Sequence, residues 1–361
     1  MSTSNLEVAI DAAYEGQRLT PAQALALLEQ APLHLLGTLA TRARTRRNPA
    51  PVVTYAVDRN INYTNICISR CKFCAFWRPE GHEQAYVLTL EELLSKAREA
   101  RERGATHVLI QGGLNPALGL EQICQMLSAL KHEAGVHVHG LSPPEVVFLA
   151  RQEKMSIAEV LQRLVEAGLG SIPGGGAEIL VDEVRSRIAP RKCTGAQWLE
   201  VMDQAHKMGL MTTATMMFGH IETPAHRIQH LELLRELQDK SITRGKGRFT
   251  AFIPWTFQPR NTALAHLPEA GSVEYLRMLA VSRLYLDNFE HIQASWVTQG
   301  AEVAQMALAF GADDLGSTIM EENVVAAAGA RFRMGRQEMV RLGRQMGYQL
   351  RQRDALYRFV D

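Results

Sequence analysis

Eight short stretches rich in apolar and β-branched residues recur along this chain, near residues 61–66, 107–111, 136–139, 169–172, 212–217, 249–253, 292–295 and 314–318. Amphipathic segments of helical period separate most of them. That alternation constrains the fold more than any other feature. Strands joined by a helix-length crossover must run parallel, and eight such units predict an α/β chain closed into a (β/α)8 barrel. Two of the intervening helices carry clear start signals. Thr89 and Glu92 form a capping box before a helix ending near Gly104, and Ser156 and Glu159 form another. After the second box, Ile157, Val160, Leu161, Leu164 and Val165 repeat at helical spacing until Gly168. Residues 1–50 read as a helical extension, with Thr20 as an N-cap before Pro21, and residues 51–361 as the barrel. An open doubly wound sheet is the alternative, but it would usually carry G-x-G-x-x-G after its first strand. The glycine run here, Gly174 to Gly176, instead follows the fourth strand and reads as a turn.

Composition narrows the function. A chain of 361 residues with 46% hydrophobic and 21% charged residues describes an ordinary globule with a large core. No apolar run reaches membrane-spanning length, and a net charge of +1 gives no basic excess of the kind nucleic acid attracts. Small-molecule chemistry is what remains, with neither membrane nor nucleic acid as a partner. Arg42, Arg44, Arg46 and Arg47 read as the solvated C-terminal end of a helix, where cations suit the dipole. Cys124 falls on an apolar helical face with Leu120, Ile123, Leu127 and Leu130, so it reads as core. The odd count of five cysteines and the absence of a signal-peptide pattern point to a cytoplasmic protein without disulfides.

The remaining chemistry concentrates in Cys67-Ile-Ser-Arg-Cys71-Lys-Phe-Cys74. Three thiolates this close can converge on one metal centre and leave part of it open. An iron-sulfur cube held by three cysteines has an iron free to bind substrate or cosubstrate. The competing reading is a zinc-stabilised binding protein with His82 as fourth ligand, although no second C-x2-C pair follows.

Active sites of such barrels lie at the C-terminal ends of the strands, and here those positions are polar and glycine-rich. They hold Cys67, then Gly112 and Gly113, then Leu141 to Glu145, then the glycine run and Glu178, then His220 and Glu222, then Trp255, and finally Gln293 and Trp296. Each has a plainer reading. Paired glycines often make only a turn, buried indoles are more often packing than platforms, and His139 could be a structural donor. His220-x-Glu222 resembles the H-x-E of zinc deaminases, but no P-C-x-x-C follows. Their common edge makes His139, Trp255, Gln293 and Trp296 candidates for substrate contact.

The C-x3-C-x2-C spacing, with an aromatic before the last cysteine, resembles the signature of the radical S-adenosylmethionine (SAM) superfamily. From about Asp58 onward the chain resembles the dehypoxanthine futalosine cyclase family within it. The resemblance rests on DRNINYTNICISRCKFCAFWRPEGHEQAY, QGGLNP, LSPPE, SIPGGGAEIL, TTATMMFGHIET, AFIPWTFQPRNTAL, QASWVTQG and GSTIMEENV. Aminofutalosine synthase and the tyrosine-using subunit of deazaflavin synthase share similar segments. The resemblance implies a [4Fe-4S] cluster on Cys67, Cys71 and Cys74, with SAM chelated by the open iron. It further implies that Phe73 lies near the adenine, Gly112 and Gly113 near the SAM amino group, and Glu178 near its ribose or polar tail. Many members have an acidic residue where this chain has Leu114, so the ammonium contact would be mostly backbone. The implied reaction removes hydrogen from C4′ of dehypoxanthine futalosine and joins that carbon to the attached benzoate ring. A one-electron reductase such as flavodoxin or ferredoxin would supply the electron. For the final proton loss, His220 is a candidate base near neutrality, oriented by Glu222.

Overall fold

The structure, a computed structural model, describes residues 5–360. Its strands are β1 (Val52–Ala56), β2 (Asp58–Asn62), β3 (His107–Gln111), β4 (His137–Gly140), β5 (Leu169–Ser171), β6 (Thr212–Phe218), β7 (Phe249–Thr256), β8 (His291–Ile292), β9 (Asp314–Ser317) and β10 (Gln349–Gln352). Every ladder between them is parallel. β1 and β2 are two halves of one strand interrupted at Val57. The upper half pairs with β3 and the lower half with β9. Bridges at Ile172 to Thr212 and Gln293 to Asp314 join β5 to β6 and β8 to β9. The amide N–H groups of Thr318 and Met320 donate to the carbonyls of Ala56 (3.1 Å) and Asp58 (3.2 Å). The ring is thereby closed, as the alternation predicts, and β10 adds beside β1 outside the count of eight.

Within each strand the pleat separates two environments. Val108 and Ile110 are fully buried against the crossover helices, while His107, Leu109 and Gln111 face the lumen. Asp58 and Asn60, and Thr213 and Thr215, repeat the same period of two on their strands. A barrel of this kind usually fills its interior with branched apolar side chains. Polar residues at the inward positions leave this one with a cavity of about 310 Å³.

The crossover helices start where the sequence predicts. Thr89 and Ser156 each accept from the backbone N–H three residues on, while Glu92 and Glu159 return the bond. The helix Ile157–Ala167 buries Val160, Leu161 and Leu164 and stops at Gly168, whose φ of +124° lies in the glycine-favoured region. The N-terminal helices Asn5–Glu15, Pro21–Gln30 and Leu33–Arg47 share one continuous apolar core with the barrel. Arg235 donates to the Leu19 carbonyl (2.9 Å) and Arg277 to that of Ala31 (2.6 Å), tying them to the outer helices. Arg42, Arg46 and Arg47 are exposed at the end of the third helix, as sequence suggests, and Arg44 alone departs from that reading. Arg44 is buried and donates to the Val52 carbonyl at 2.8 Å, and Arg42 and Arg46 both bond the Tyr14 carbonyl. Tyr14 belongs to the first helix, a partner that the local charge pattern does not reveal.

A buried charge network holds the floor of the ring. Arg283 donates to Asp313 at 2.8 Å, and His291 Nδ1 and the Ile292 amide lie 3.0 and 2.9 Å from the same carboxylate. Burial raises the pKa of Asp313, but Arg283 and His291 outweigh it and hold the carboxyl down at about 2. Replacing Asp313 with Ala leaves Arg283 buried without its counter-charge, and is expected to cost roughly 3–5 kcal/mol in urea unfolding. Because the folded pKa lies below the unfolded value of about 3.9, the carboxylate's contribution is complete above that pH and is lost as pH falls through about 2. Asp313→Asn should lack that step in an acid titration of stability.

Candidate active site

The loop after β2 is folded by its own backbone and by one arginine. Cys67 N–H donates to the Arg78 carbonyl (3.1 Å), and Arg78 N–H to that of Asn65 (2.8 Å). The Arg78 guanidinium then collects the carbonyls of Ala75 and Trp77, each at 2.9 Å. Three sulfurs are thus presented on one loop, with Cys71 buried and Cys67 and Cys74 half-buried. Burial pushes the Cys71 thiol up to about 11 and raises that of Cys74 as well. Donors surround the sulfurs nonetheless. Leu114 N–H reaches Cys67 Sγ at 3.3 Å, and the backbone N–H groups of Trp77 and Phe76 face Cys74. Lys192 is charged beside Cys71. Its burial favours the neutral amine, but Glu178 and Cys71 outweigh that and raise its pKa. N–H dipoles and a cation around three thiols suit an anionic thiolate-held cluster, so this donor set fits the iron-sulfur group.

The zinc alternative finds less support. Among the described residues, no three His, Cys, Asp or Glu side chains converge to hold a single ion. A cube assigns each thiolate to a different iron and does not require that convergence. His82 is exposed, and its Nδ1 accepts from the Gln84 amide at 3.0 Å.

Gly112 and Gly113 have a steric reason to be glycine. A Cβ on Gly113 would lie 2.2 Å from the Ile66 carbonyl oxygen and 2.9 Å from Cys67 Cβ, and one on Gly112 would enter the Tyr63 ring at 2.4 Å. The Gly113 amide donates to the Thr64 carbonyl at 2.9 Å. Buried Glu145 clamps three strand ends together. Its Oε1 accepts from the Tyr63 hydroxyl (2.7 Å) and the Gly112 amide (3.0 Å), and its Oε2 from the Ser142 amide (2.7 Å). Neither Tyr63 nor the clamp role of Glu145 is legible in the motifs, because their partners belong to different loops.

Glu178 is buried at the rim of the lumen in the left-handed region (φ +42°), 3.0 Å from Lys192 Nζ and 3.6 Å from Arg185. Lys192 also lies over the Phe73 ring, 5.3 Å from its centroid. Phe73, Cys71, Lys192 and Glu178 therefore form one connected group. His139, Trp255 and Gln293 all line the lumen. His139 Nδ1 sits 2.7 Å from Ser171 Oγ; burial, then the neighbouring His107 and His137, drives its pKa well below the ordinary histidine value, so the ring is neutral. Sequence reasoning missed Asp58, Asn60 and His107 on the same wall, although their alternation within the strands was a usable signal.

Two expectations fail geometrically. Trp296 is buried with its indole N–H on the Ser317 carbonyl (3.0 Å), and it borders a neighbouring cleft instead of the lumen. His220 and Glu222 meet each other at 2.9 Å, but both side chains are fully buried and neither lines the cavity. His220 Nε2 bonds the Met217 carbonyl at 3.1 Å. Glu222 accepts from the Gly219 and His220 amides and from Arg227. Burial raises the Glu222 pKa, yet the bond from His220 and the charge of Arg227 prevail and keep it far below the usual carboxylate range. No atom of the pair is left to face a substrate.

A closed parallel barrel with a three-cysteine loop at its mouth defines the class, and sequence comparison agrees. The Radical SAM superfamily profile matches residues 61–234, and the CofH/MqnC C-terminal region matches residues 246–361. The chain belongs to the radical SAM superfamily, in the branch that carries this C-terminal region. It is 43% identical to the cyclic dehypoxanthine futalosine synthase of Streptomyces coelicolor, over 98% of this chain and 88% of that one. It is 42% identical to the 5-amino-6-(D-ribitylamino)uracil–L-tyrosine 4-hydroxyphenyl transferase of Methanoculleus marisnigri, over 96% of each. The fold resembles that of methylornithine synthase, with a TM-score of 0.72 at 19% identity, covering 95% of this chain and 97% of that one. Among the described residues no helix is long and apolar enough to cross a membrane.

Gly113→Ala is expected to displace the cysteine loop, because the atom it would strike belongs to the backbone. After anaerobic reconstitution this variant should bind less iron than the native chain while retaining its far-UV circular dichroism. Equal iron content would show that the loop tolerates the displacement.

Proposed function

We propose that this chain converts dehypoxanthine futalosine to cyclic dehypoxanthine futalosine, a ring closure in menaquinone biosynthesis. The observation that carries this reading is the match to the Streptomyces synthase over 98% of the chain, which takes in the cysteine loop, the lumen-lining strands and the C-terminal segment together. Cys67, Cys71 and Cys74 would hold three irons of a [4Fe-4S] cluster, leaving the fourth for SAM. Bound together, these cofactors supply a 5′-deoxyadenosyl radical at the mouth of the barrel. Phe73 would stand beside the adenine, and backbone carbonyls at Gly112 and Gly113 would accept from the SAM ammonium in place of an acidic side chain. Glu178, held by Lys192 and Arg185, is set to bond the ribose or polar tail.

The C4′ hydrogen of the substrate would end in 5′-deoxyadenosine, the resulting carbon radical would add to the benzoate ring, and aromaticity would return in the spirocyclic product with release of one proton to solvent and of one electron, equal to the one consumed in cleaving SAM to methionine. His139, Trp255 and Gln293 line the space where the substrate must lie. Enclosure by the strands keeps water and other hydrogen donors from the radical, the usual contribution of a protein to such cofactor chemistry. His220 and Glu222 serve this reading as a positioning pair that fixes the end of β6. A cytoplasmic setting, with flavodoxin or ferredoxin as electron donor, fits thiols that must stay reduced.

The similar identity to the tyrosine transferase favours one other reading, in which the lumen admits tyrosine. An anaerobic assay offering each substrate separately, with products identified by mass, decides between them. Cyclisation of dehypoxanthine futalosine is expected, and turnover of tyrosine alone would overturn the proposal. Cys71→Ala should abolish both deoxyadenosine and cyclic product. His220→Gln should lower thermal stability but leave the ratio of cyclic product to deoxyadenosine unchanged; a fall in that ratio would restore His220 as the base.

A further inference from the structure

The ring proton released on cyclisation needs an acceptor inside the lumen, and His220 lies outside it. Three carboxylates line that cavity: Asp58, Glu178 and Glu322. Asp58 receives the Ser317 hydroxyl at 2.6 Å and faces His107 Nε2 at 3.3 Å. Glu178 is paired with Lys192 and Arg185. Glu322 alone has neither a cation nor an imidazole for a partner among the described residues. His139 is a poor acceptor, since burial strips its ring of basicity.

Glu322 follows β9, on the edge that carries the cysteine loop. Its neighbours in the chain are pinned. Glu321 pairs with Arg59 at 2.7 Å and Lys96 at 2.9 Å, and Asn323 donates to Asn62 Oδ1 at 3.3 Å. The Glu322 carboxylate accepts from Asn60 Nδ2 (3.2 Å) through Oε2 and from the Val325 amide (2.8 Å) through Oε1. Both of those partners line the lumen, so the carboxylate is held at the cavity wall, and the residue keeps part of its surface exposed. Burial raises its pKa, and the bonds from Val325 and Asn60 offset that only in part. A carboxylate so placed is a stronger base than an ordinary one.

Behind this wall lies a second cleft of about 920 Å³, which the exposed Arg331, Phe332 and Arg333 open to solvent. Lumen and cleft share Val297, Ile319 and Glu322. Of the three, only Glu322 can carry a proton.

We propose that Glu322 is the catalytic base of the cyclisation, taking the proton from the ring carbon newly bonded to C4′ and passing it to water in the adjoining cleft. This rests on the cyclase reading above. C4′ must lie at the mouth, where the deoxyadenosyl radical is supplied, so the ring carbon joined to it lies on the same edge as Glu322. In this step the ring C–H bond breaks, the proton goes to the carboxylate and the electron pair returns to the ring. The surplus electron leaves to a one-electron acceptor of the iron-sulfur class, balancing the one spent on SAM. Exchange with cleft water then restores the carboxylate.

The test uses dehypoxanthine futalosine deuterated at C4′, so that deuterium in 5′-deoxyadenosine counts hydrogen abstraction separately from ring closure. Glu322→Gln keeps the size of the side chain and an acceptor oxygen but cannot take the proton. It should still transfer deuterium, while the ratio of cyclic product to deuterated deoxyadenosine falls by about tenfold or more. In a second substrate, deuterium on the ring carbon that loses its proton should slow cyclic product more in the variant than in native enzyme, a change that a purely structural defect would not produce. An unchanged ratio in Glu322→Gln would overturn the proposal, as would a fall without the larger ring-deuterium effect, or loss of deuterium transfer itself. If native enzyme fails to cyclise the substrate, the functional reading and the base fall together. If native enzyme cyclises it and the variant does so equally well, only the base falls.

Discussion

Closure of the parallel ring is the constraint from which the rest follows. Because each β-to-β connection in a parallel ring must return the full length of the strand, all strand ends share one edge and all strand starts share the other. The Cys67 loop, the glycine edge at Gly112 and the Glu178 group are neighbours for that reason. Opening the ring at the hydrogen bonds from Thr318 and Met320 to the β1 and β2 carbonyls would separate the floor from the wall. Closure also creates the inside. Asp58, His107, His139 and Gln293 occupy alternate strand positions and therefore converge on one cavity.

At the mouth the structure must manage charge before any cofactor chemistry. Buried thiols resist ionisation, and burial pushes the Cys71 thiol up. The response is an array of fixed donors: amide N–H groups on Cys67 and Cys74, and Lys192 beside Cys71 with Glu178 as its counter-ion. Lys192 touches the Phe73 face as well, so one side chain links the cysteine loop to the far rim. Gly113 lets the β3 exit come within a carbonyl's reach of that loop. Sterics and electrostatics here serve the same end, a rigid loop tolerant of negative charge.

A place just after a strand does not by itself aim a side chain at the lumen. The segment containing His220 and Glu222 does follow β6, where a functional residue would be expected, yet Arg227 and the local amides turn both side chains inward to each other. Trp296 likewise follows β8 but bonds across to Ser317. Position relative to a strand end is readable from hydrophobic period, whereas the direction of a side chain depends on partners elsewhere in the chain. Arg44 illustrates the same limit, since its burial is set by Val52 and Tyr348.

The amino-acid sequence alone determined the alternation of strand and helix, the caps at Thr20, Thr89 and Ser156, and the clustering of three cysteines within one loop. These are local properties, written in residues a few positions apart. Tertiary structure decided the split of the first strand, the polar lumen, the Glu145 clamp and the floor network of Arg283 and Asp313. Each of those joins residues that lie far apart along the chain, and their contacts exist only once the ring has closed.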